Sequence, residues 1–375
     1  MIKRFYHNKL ASLLEPNKVL VIYGPRRVGK TTLVKSFLNS FKGLIYQSTG
    51  ENIQLRQVLE SSDFSKIIPF FQDYEVVFID EAQWVNNIGL GLKIIVDQIP
   101  GIKVIATGSS SFDLSNKIGE PLVGRQRVVR LYPLSVMELK NDLGGAYVIE
   151  NLKNLMIFGS YPEVIEAQSF AHKKDYLEQI RDSYLFKDIL ELENIKNSKK
   201  IYDLLRLVAF QIGQEVSHHE LGTQLGLSKN TVARYLDLLE KAFVLVNVRG
   251  LSRNLRKEVS KTSRYYFYDN GVRNAVVGNF NFVENRNDVG QLWENFMFME
   301  RLKCRQMKRM GANVYFWRTY DQQEVDLVEE REGKLVGFEF KWGGKKAKAP
   351  RAWLETYDNA SFEVITPENY LEFVS

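Results

Sequence analysis

Short apolar runs alternate with helix-length amphipathic segments over the first 135 residues. The segments at residues 30–41 and 86–99 have the period of a helix, and the apolar runs lie at residues 18–23, 43–48, 76–80, 103–107 and 127–132. Short buried strands that alternate with helices are typical of a parallel sheet covered on both faces. We therefore predict an α/β fold, and we expect its ligands at the carboxyl ends of the strands.

A glycine-rich turn, GPRRVGKT, follows the first apolar run at residues 24–31. It fits the pattern G-x-x-x-x-G-K-[ST], in which main-chain N–H groups curl around phosphates at the start of a helix. Lys30 would reach the β- and γ-phosphates, and the Thr31 hydroxyl would ligate Mg²⁺. The turn predicts binding of ATP and Mg²⁺ by Gly24, Pro25, Arg26, Arg27, Val28, Gly29, Lys30, Thr31 and Thr32, together with Asp80 and Ser109 from later strands.

Two acidic residues end the third apolar run, VVFIDE. Asp80 at the strand end is the candidate to hold Mg²⁺ together with Thr31, as a Walker B aspartate does. Glu81 beside it is the candidate to orient or deprotonate the attacking water. This pair predicts hydrolysis of the bound nucleotide.

Two further polar features follow in the same region. The segment TGSS at residues 107–110 carries hydroxyls, of which Ser109 could sense the γ-phosphate or only cap the loop. Arg125 could act as an arginine finger, across a subunit contact, or could form a structural ion pair. The sequence leaves both alternatives open.

The charge and the cysteine count narrow the class of protein. Among the 375 residues, 51 are Lys or Arg and 45 are Asp or Glu. The single Cys excludes an intrachain disulfide, and one Cys with four His provides too few ligands for a zinc ribbon. Basic clusters at residues 249–264, 301–309 and 341–351 predict phosphate contacts, although a solvated surface is the alternative. No stretch of 18 apolar residues occurs, so we expect a cytoplasmic protein without a membrane partner.

Residues 201–250 have the pattern of a helix-turn-helix. The segment HHELGTQLG ends at Gly226, Ser228 is placed to cap a second helix, and a strand at residues 243–248 would form a wing. Lys229, Asn230 and Arg234 would then lie where a recognition helix enters a major groove. The alternative is that this element only docks two parts of the chain together.

Charged residues on the last strands form a second candidate site. Glu339 and Lys341 share one face of a strand, because positions i and i+2 do so, and Asp326 could sit opposite them on the neighbouring strand. Glu294 lies near the start of an amphipathic helix at residues 290–309. Carboxylates with a lysine beside them would bind Mg²⁺ and activate water for phosphodiester cleavage, whereas an ordinary half-exposed hairpin has the same alternation.

Several segments resemble one family of proteins. GPRRVGKTT, FIDEAQW, ATGSSSF and LVGRQRVVRLYPLSVMEL resemble prokaryotic AAA-type P-loop ATPases, in which a C-terminal domain of unknown function is related to restriction-endonuclease-like folds. FGSYPEV and YFYDNGVRNAVVG, at residues 158–164 and 266–278, are also similar to motifs of that family. The resemblance implies an AAA-type nucleotide switch that forms homo-oligomers, with a helical lid after the ATPase core.

The order of the C-terminal residues also resembles the PD-(D/E)xK nuclease core. That resemblance implies metal ligation by Glu294, Asp326 and Glu339, with Lys341 as a catalytic residue. Val325 stands where the nuclease pattern has proline. An active nuclease and a relic of the fold that only holds DNA both remain open.

Together these patterns predict four parts. They are an ATPase core at residues 1–135, a helical lid at 136–198, a winged helix-turn-helix at 199–250 and a nuclease-like α/β domain at 251–375. The expected function is Mg²⁺-dependent ATP hydrolysis coupled to binding of nucleic acid, duplex DNA above all, and to its cleavage. The alternative is a nucleotide-regulated protein that binds DNA or recruits a protein partner and cleaves nothing.

Overall fold

The computed structural model describes residues 2–109, 121–185, 198–252, 263–343 and 347–375. The chain divides into two compact units. The first unit is Met1–Tyr132 with Lys241–Phe243, and the second is Pro133–Glu240 with Val244–Ser375. The break after Tyr132 lies three residues before the end that the sequence predicts for the ATPase core. The division of the remaining chain into three parts stays a prediction.

A five-stranded parallel sheet forms the centre of the first unit. Its strands run in the order β2-β3-β4-β1-β5, and they are β1 Val19–Tyr23, β2 Ile45–Thr49, β3 Val76–Asp80, β4 Lys103–Gly108 and β5 Gln126–Arg130. Each strand coincides with one of the five apolar runs, so the predicted parallel sheet is confirmed. The strands β1, β3 and β4 are almost wholly buried, because helices cover both faces of the sheet.

One helix precedes β1, and four others connect the strands and bury their apolar faces against the sheet. They are α1 Leu10–Leu13, α2 Lys30–Leu38, α3 Ile53–Glu60, α4 Phe64–Phe71 and α5 Ile88–Gln98. The side chains of Asn52 and Asp63 accept hydrogen bonds from main-chain N–H groups at the starts of α3 and α4, which explains where these two helices begin. Leu55, Phe71 and Ile95 are fully buried in the core between the helices and the sheet.

Helices dominate the first half of the second unit. They are α6 Val136–Leu143, α7 Gly145–Glu150, α8 Leu152–Phe158, α9 Pro162–Glu166, α10 Phe170–Gln179, a π-helical turn Ile180–Leu185, α11 Ser198–Phe210, α12 His218–Leu225 and α13 Lys229–Lys241. A capping box between Ser135 and Glu138 begins α6. Part of the helical lid predicted at residues 136–198 lies outside the described residues.

The predicted turn between α12 and α13 is present. Gly226 ends α12 in the left-handed conformation, with φ +62°. The Ser228 hydroxyl accepts a hydrogen bond from the Thr231 N–H at 3.1 Å and so caps α13. A Cβ on Gly222 would lie 2.6 Å from the Leu227 main-chain oxygen, so the turn packs closely against α12.

A seven-stranded mixed sheet forms the other half of the second unit. Its order is β12-β11-β10-β9-β7-β8-β6, with β6 Glu215–Val216, β7 Leu245–Gly250, β8 Ser263–Phe267, β9 Asn313–Arg318, β10 Glu324–Arg331, β11 Lys334–Phe340 and β12 Ala360–Ile365. The strand predicted as a wing is β7, and it lies inside this sheet between β8 and β9. The predicted boundary at residue 250 therefore falls between strands of one sheet.

Four helices complete the second unit in the described part of the chain, namely α14 Asn270–Val277, α15 Val289–Met307, α16 Arg351–Thr356 and α17 Tyr370–Val374. The amide of Asn295, on α15, binds both the N–H and the carbonyl of Phe267 on β8, at 2.7 and 3.0 Å. This contact fixes α15 against the strand that carries Arg264 and Tyr266. Across the described ranges, no helix is long and apolar enough to cross a membrane.

Candidate functional site

The glycine-rich turn lies between β1 and α2, at the carboxyl edge of the first sheet. Gly24 approaches β5 so closely that a Cβ there would lie 1.9 Å from the Leu131 main-chain oxygen. Gly29 has φ +93° and immediately precedes α2, in a left-handed conformation that favours glycine. Residues 24–32 thus form the loop and first helical turn that the sequence predicts.

Lys30 and Thr31 lie in the first turn of α2, beside the loop. The Lys30 ammonium is buried and donates to the carbonyl oxygens of Gly24 and Pro25 at 2.9 and 2.8 Å. The Thr31 hydroxyl lies 2.8 and 3.0 Å from the two carboxylate oxygens of Asp80. A hydroxyl and a carboxylate held together are hard oxygen ligands of the kind that Mg²⁺ prefers, so these residues fit the predicted ion.

Glu81 follows Asp80 in a left-handed conformation, with φ +47°. Its carboxylate accepts hydrogen bonds from the Ser109 hydroxyl at 3.2 Å and from the Gln83 amide. The Gln83 amide also donates to the Ser109 hydroxyl at 3.1 Å. The structure therefore places Ser109 against the candidate base, and Gln83 is a residue that sequence reasoning missed.

The order of the strands explains this arrangement. The strand β4 lies between β1, which leads into the loop, and β3, which carries Asp80. Thr107 near the end of β4 donates to the Asp80 carboxylate and accepts from the Glu81 N–H at 3.3 Å. Residues from three strands therefore meet at one edge of the sheet, as expected for parallel strands.

Arg4 supports the loop from the N-terminal segment. Its guanidinium is buried and donates to the carbonyl oxygens of Val28 at 3.0 Å and Tyr132 at 2.6 Å. Val28 belongs to the loop, and Tyr132 lies 128 positions from Arg4 in the sequence. No sequence motif connects residues so far apart, so this contact is visible only in the structure.

Arg125 does not lie beside the loop of its own chain. It precedes β5, and its carbonyl oxygen accepts from the N–H of Val19 at the amino end of β1, whereas the loop follows the carboxyl end. The two ends are separated by ~13 Å at ~3.3 Å per residue. Arg125 donates instead to Asp97 at 2.6 Å. Within its own chain Arg125 therefore forms an ion pair, and its role as a finger across a subunit contact stays a prediction. Arg130, over the ring of Tyr23 at 5.5 Å, is the arginine on β5 nearest the loop.

The four predicted C-terminal residues lie close together in the second unit. Lys341 pairs with Glu339 at 2.5 Å, so the two project to one side as predicted. Asp326 accepts a hydrogen bond from the Phe340 N–H at 2.9 Å. Glu294 on α15 is linked to the same cluster because Asp326 and Glu294 both contact Arg264.

Burial changes the proton affinity of these carboxylates. It raises the pKa of Glu294 to about 7 and raises the pKa of Asp326 well above its usual range. The neighbouring carboxylates add to both shifts. Burial also raises the pKa of Glu339, against the opposing effect of the Lys341 ammonium.

A metal ion does not fit this cluster as the side chains stand. One guanidinium nitrogen of Arg264 lies 3.7 Å from a carboxylate oxygen of Glu294 and 3.7 Å from one of Asp326. Within the residues that the structure describes, no group of three or more His, Cys, Asp or Glu side chains could hold a metal ion. Metal ligation by Glu294, Asp326 and Glu339 stays a prediction, and this arrangement does not favour it.

The basic cluster at residues 301–309 is mostly engaged by acidic partners. Arg301 and Arg305 both contact Glu329, and Lys303 pairs with Glu300 at 2.7 Å. These cations stabilise the second unit internally, which weakens their predicted role in phosphate binding. Most of the cluster at residues 249–264 and part of that at 341–351 lie outside the described residues.

Three family models match successive parts of the chain. Residues 16–140 match an AAA domain. Residues 149–282 match a domain of unknown function, DUF8612, and residues 289–369 match a second domain of unknown function, DUF4143. An uncharacterized protein of Haemophilus influenzae is 25% identical over 354 residues, covering 88% of this chain and 84% of that protein.

Similar proteins occur in other lineages. An uncharacterized protein of Mycobacterium tuberculosis is 26% identical over 340 residues, covering 89% of this chain and 72% of that protein. Among solved structures, a Walker-type ATPase of Pyrococcus abyssi is 18% identical with a TM-score of 0.50, covering 74% of this chain and 96% of the other. The likeness to that structure concerns the fold. Residues 16–140 therefore form an AAA-type P-loop domain, with the fold of nucleotide-binding ATPases.

Proposed function

We propose that the first unit binds Mg²⁺-ATP and hydrolyses it. The observation that carries this proposal is the contact of the Thr31 hydroxyl with both carboxylate oxygens of Asp80, beside the phosphate loop and the buried Lys30 that follows it. Thr31 and Asp80 would hold Mg²⁺, which would neutralise charge on the β- and γ-phosphates. Lys30 would exchange its two carbonyl contacts for phosphate oxygens.

Glu81 is the proposed base for the attacking water. Gln83 and Ser109 hold its carboxylate at the edge of the sheet where the phosphates would end. A carboxylate held in this way can accept a proton from water or orient it, which contributes ~10²–10⁴-fold to a rate. Ser109 would serve as a positioning residue for Glu81, and one of its contacts could pass to the γ-phosphate.

The direct test is titration of the protein with a fluorescent ATP analogue and Mg²⁺. Lys30→Ala should weaken binding at least ~10-fold, because a buried cation that faces the phosphates is lost. Lys35→Ala is the matched control, since Lys35 is exposed on the same helix. Equal affinity of wild type and Lys30→Ala would contradict the assignment of the loop.

We propose as a second function that the other unit binds duplex nucleic acid without cleaving it. The polar face of α13 supports this function, because Lys229, Asn230 and Arg234 are exposed there while Val232 and Leu236 are buried. An exposed cationic face on the second helix of a helix-turn-helix is suited to the major groove. The contacts of Arg264 with Glu294 and Asp326 favour binding without metal-dependent cleavage.

Binding of a fluorescent duplex at several salt concentrations tests this second function. Lys229→Ala and Arg234→Ala should each weaken binding and reduce the salt slope by ~1, as loss of one phosphate contact does. Lys35→Ala again serves as the control, because it lies on the first unit. Failure of the wild type to bind duplex at low salt would favour a protein partner instead.

Sedimentation with and without ATP would test the homo-oligomer that the family resemblance implies.

A further inference from the structure

Arg264 is a buried cation that lies between acidic residues from separate elements. Its side chain, on β8, is only 3% exposed. One terminal nitrogen lies 3.7 Å from Glu294 on α15 and 3.7 Å from Asp326 on β10, and the other donates to Glu324 at 2.8 Å. The guanidinium of Arg264 therefore links its own strand, β8, to the helix α15 and the strand β10.

The remaining contacts keep this group in place. The guanidinium lies over the ring of Phe316, 4.5 Å from its centre. The Tyr266 hydroxyl donates to Glu294 at 2.7 Å, and the Phe340 N–H donates to the second oxygen of Asp326. Each carboxylate thus has a protein donor besides Arg264: Tyr266 and Arg264 contact the same oxygen of Glu294, whereas Phe340 and Arg264 contact different oxygens of Asp326.

The charges explain why a cation is needed at this position. Two buried carboxylates that share a site repel each other unless a positive group lies between them. Lys341 does not supply that charge directly, because its ammonium pairs with Glu339. In a metal-dependent site the counter-charge is a divalent ion, which requires several oxygen ligands at ~2.0–2.6 Å. Here one nitrogen of Arg264 lies 3.7 Å from an oxygen of each carboxylate and supplies the positive charge.

We propose that Arg264 is a built-in cation that takes the place of a divalent metal ion between Glu294 and Asp326. Wild-type protein accordingly binds no Mg²⁺ or Mn²⁺ at this cluster, and the carboxylates hold the second unit together rather than activate water. Replacement of Arg264 by a shorter, neutral polar residue converts the cluster into a divalent cation site. This role goes beyond nucleotide binding and does not depend on it.

Titration of nucleotide-free, full-length protein with Mn²⁺, followed by the electron paramagnetic resonance signal of the free ion, tests this role. Arg264→Gln should bind one Mn²⁺ at least ~100-fold more tightly than the wild type, because Glu294 and Asp326 then lose the cation that they share. The double variant Arg264→Gln/Asp326→Asn should lose that site. Asp80→Asn, added to each protein, removes any contribution of the phosphate loop to the titration.

Two results would overturn the proposal. One is a Mn²⁺ site in the wild type that disappears in Asp326→Asn, and the other is a folded Arg264→Gln protein that binds no Mn²⁺. If Arg264→Gln does not fold without metal, the double variant decides, because it removes one positive and one negative charge together. Recovery of folding in the double variant supports the counter-ion role, whereas an unfolded double variant contradicts it.

Discussion

A Cβ at Gly24 is the perturbation whose cost follows most directly from the structure. In Gly24→Ala, the new atom would lie 1.9 Å from the Leu131 main-chain oxygen, whereas real Cβ contacts are not shorter than 3.0 Å. The loop and β5 must therefore move apart by more than an ångström. That movement breaks the hydrogen bond from the Leu131 N–H to the Tyr23 carbonyl, now 2.8 Å long.

The expected loss of stability has two parts. A lost main-chain hydrogen bond costs ~1 kcal/mol, and the forced separation of packed backbone costs ~1–3 kcal/mol. The unfolding free energy of the first unit should thus fall by ~2–4 kcal/mol. The affinity for ATP should also fall, because the phosphate loop is displaced. Hydrogen exchange of peptides from β1 and β5 should accelerate by roughly 30- to 1,000-fold.

Gly101→Ala is the matched control in the same unit. Gly101 also has a positive φ, +80°, but a Cβ there would meet nothing within 4 Å. Gly101→Ala should therefore lower the unfolding free energy by only ~1–2 kcal/mol, the cost of an alanine in the left-handed conformation, and should keep the ATP affinity of the wild type. Equal effects of the two substitutions on exchange in β1 and β5 would refute the reasoning from close approach.

Three further predictions concern single charged residues. Arg4→Met should lower the unfolding free energy by ~2–4 kcal/mol, because two carbonyl oxygens lose a charged donor; a loss below ~1 kcal/mol in urea unfolding would contradict this. Burial raises the pKa of Glu240 to about 7, so the folded state favours the protonated carboxyl. The stability that this group contributes is therefore present at low pH and is lost as the pH rises through 7. Between pH 5 and pH 8.5, the unfolding free energy of Glu240→Gln should therefore rise by up to ~3 kcal/mol relative to that of the wild type. Parallel pH profiles of the two proteins in urea unfolding would contradict this prediction. Arg125→Ala should change stability by less than ~1 kcal/mol and ATP turnover by less than about twofold, since only the pair with Asp97 and a 3.4 Å contact with the Val123 carbonyl are lost; a large fall in turnover would point to a finger across a subunit contact.

The first sheet was predictable because its signals are local. Each strand is a short apolar run, and the loop motif lies within nine residues. Asp80 and Glu81 could be named as candidates because they lie at the end of a buried strand, and parallel strands bring such ends to one edge. Gln83 was missed because its contact with Glu81 depends on the left-handed turn between them, which no residue pattern announces.

The second unit was harder to predict because its contacts are long-range. Arg264 belongs to a run of bases that suggests phosphate binding, yet its partners Glu294, Glu324 and Asp326 come from elements 30 to 62 positions later. The strand β7 follows the two helices α12 and α13, a pattern that suggests a wing, but it pairs with β8 and β9. Pairing between distant strands is set by the whole sheet, so the local pattern does not determine it.

The rate of ATP hydrolysis by Glu81→Gln, measured beside its affinity for ATP, tests the central claim most directly. The amide keeps the size and the hydrogen-bonding reach of the carboxylate but accepts no proton from water. Turnover should fall by ~10²–10⁴-fold, while the dissociation constant for Mg²⁺-ATP stays within about threefold of wild type. Turnover equal to that of the wild type, or an equal loss of binding and turnover, would contradict the role assigned to Glu81.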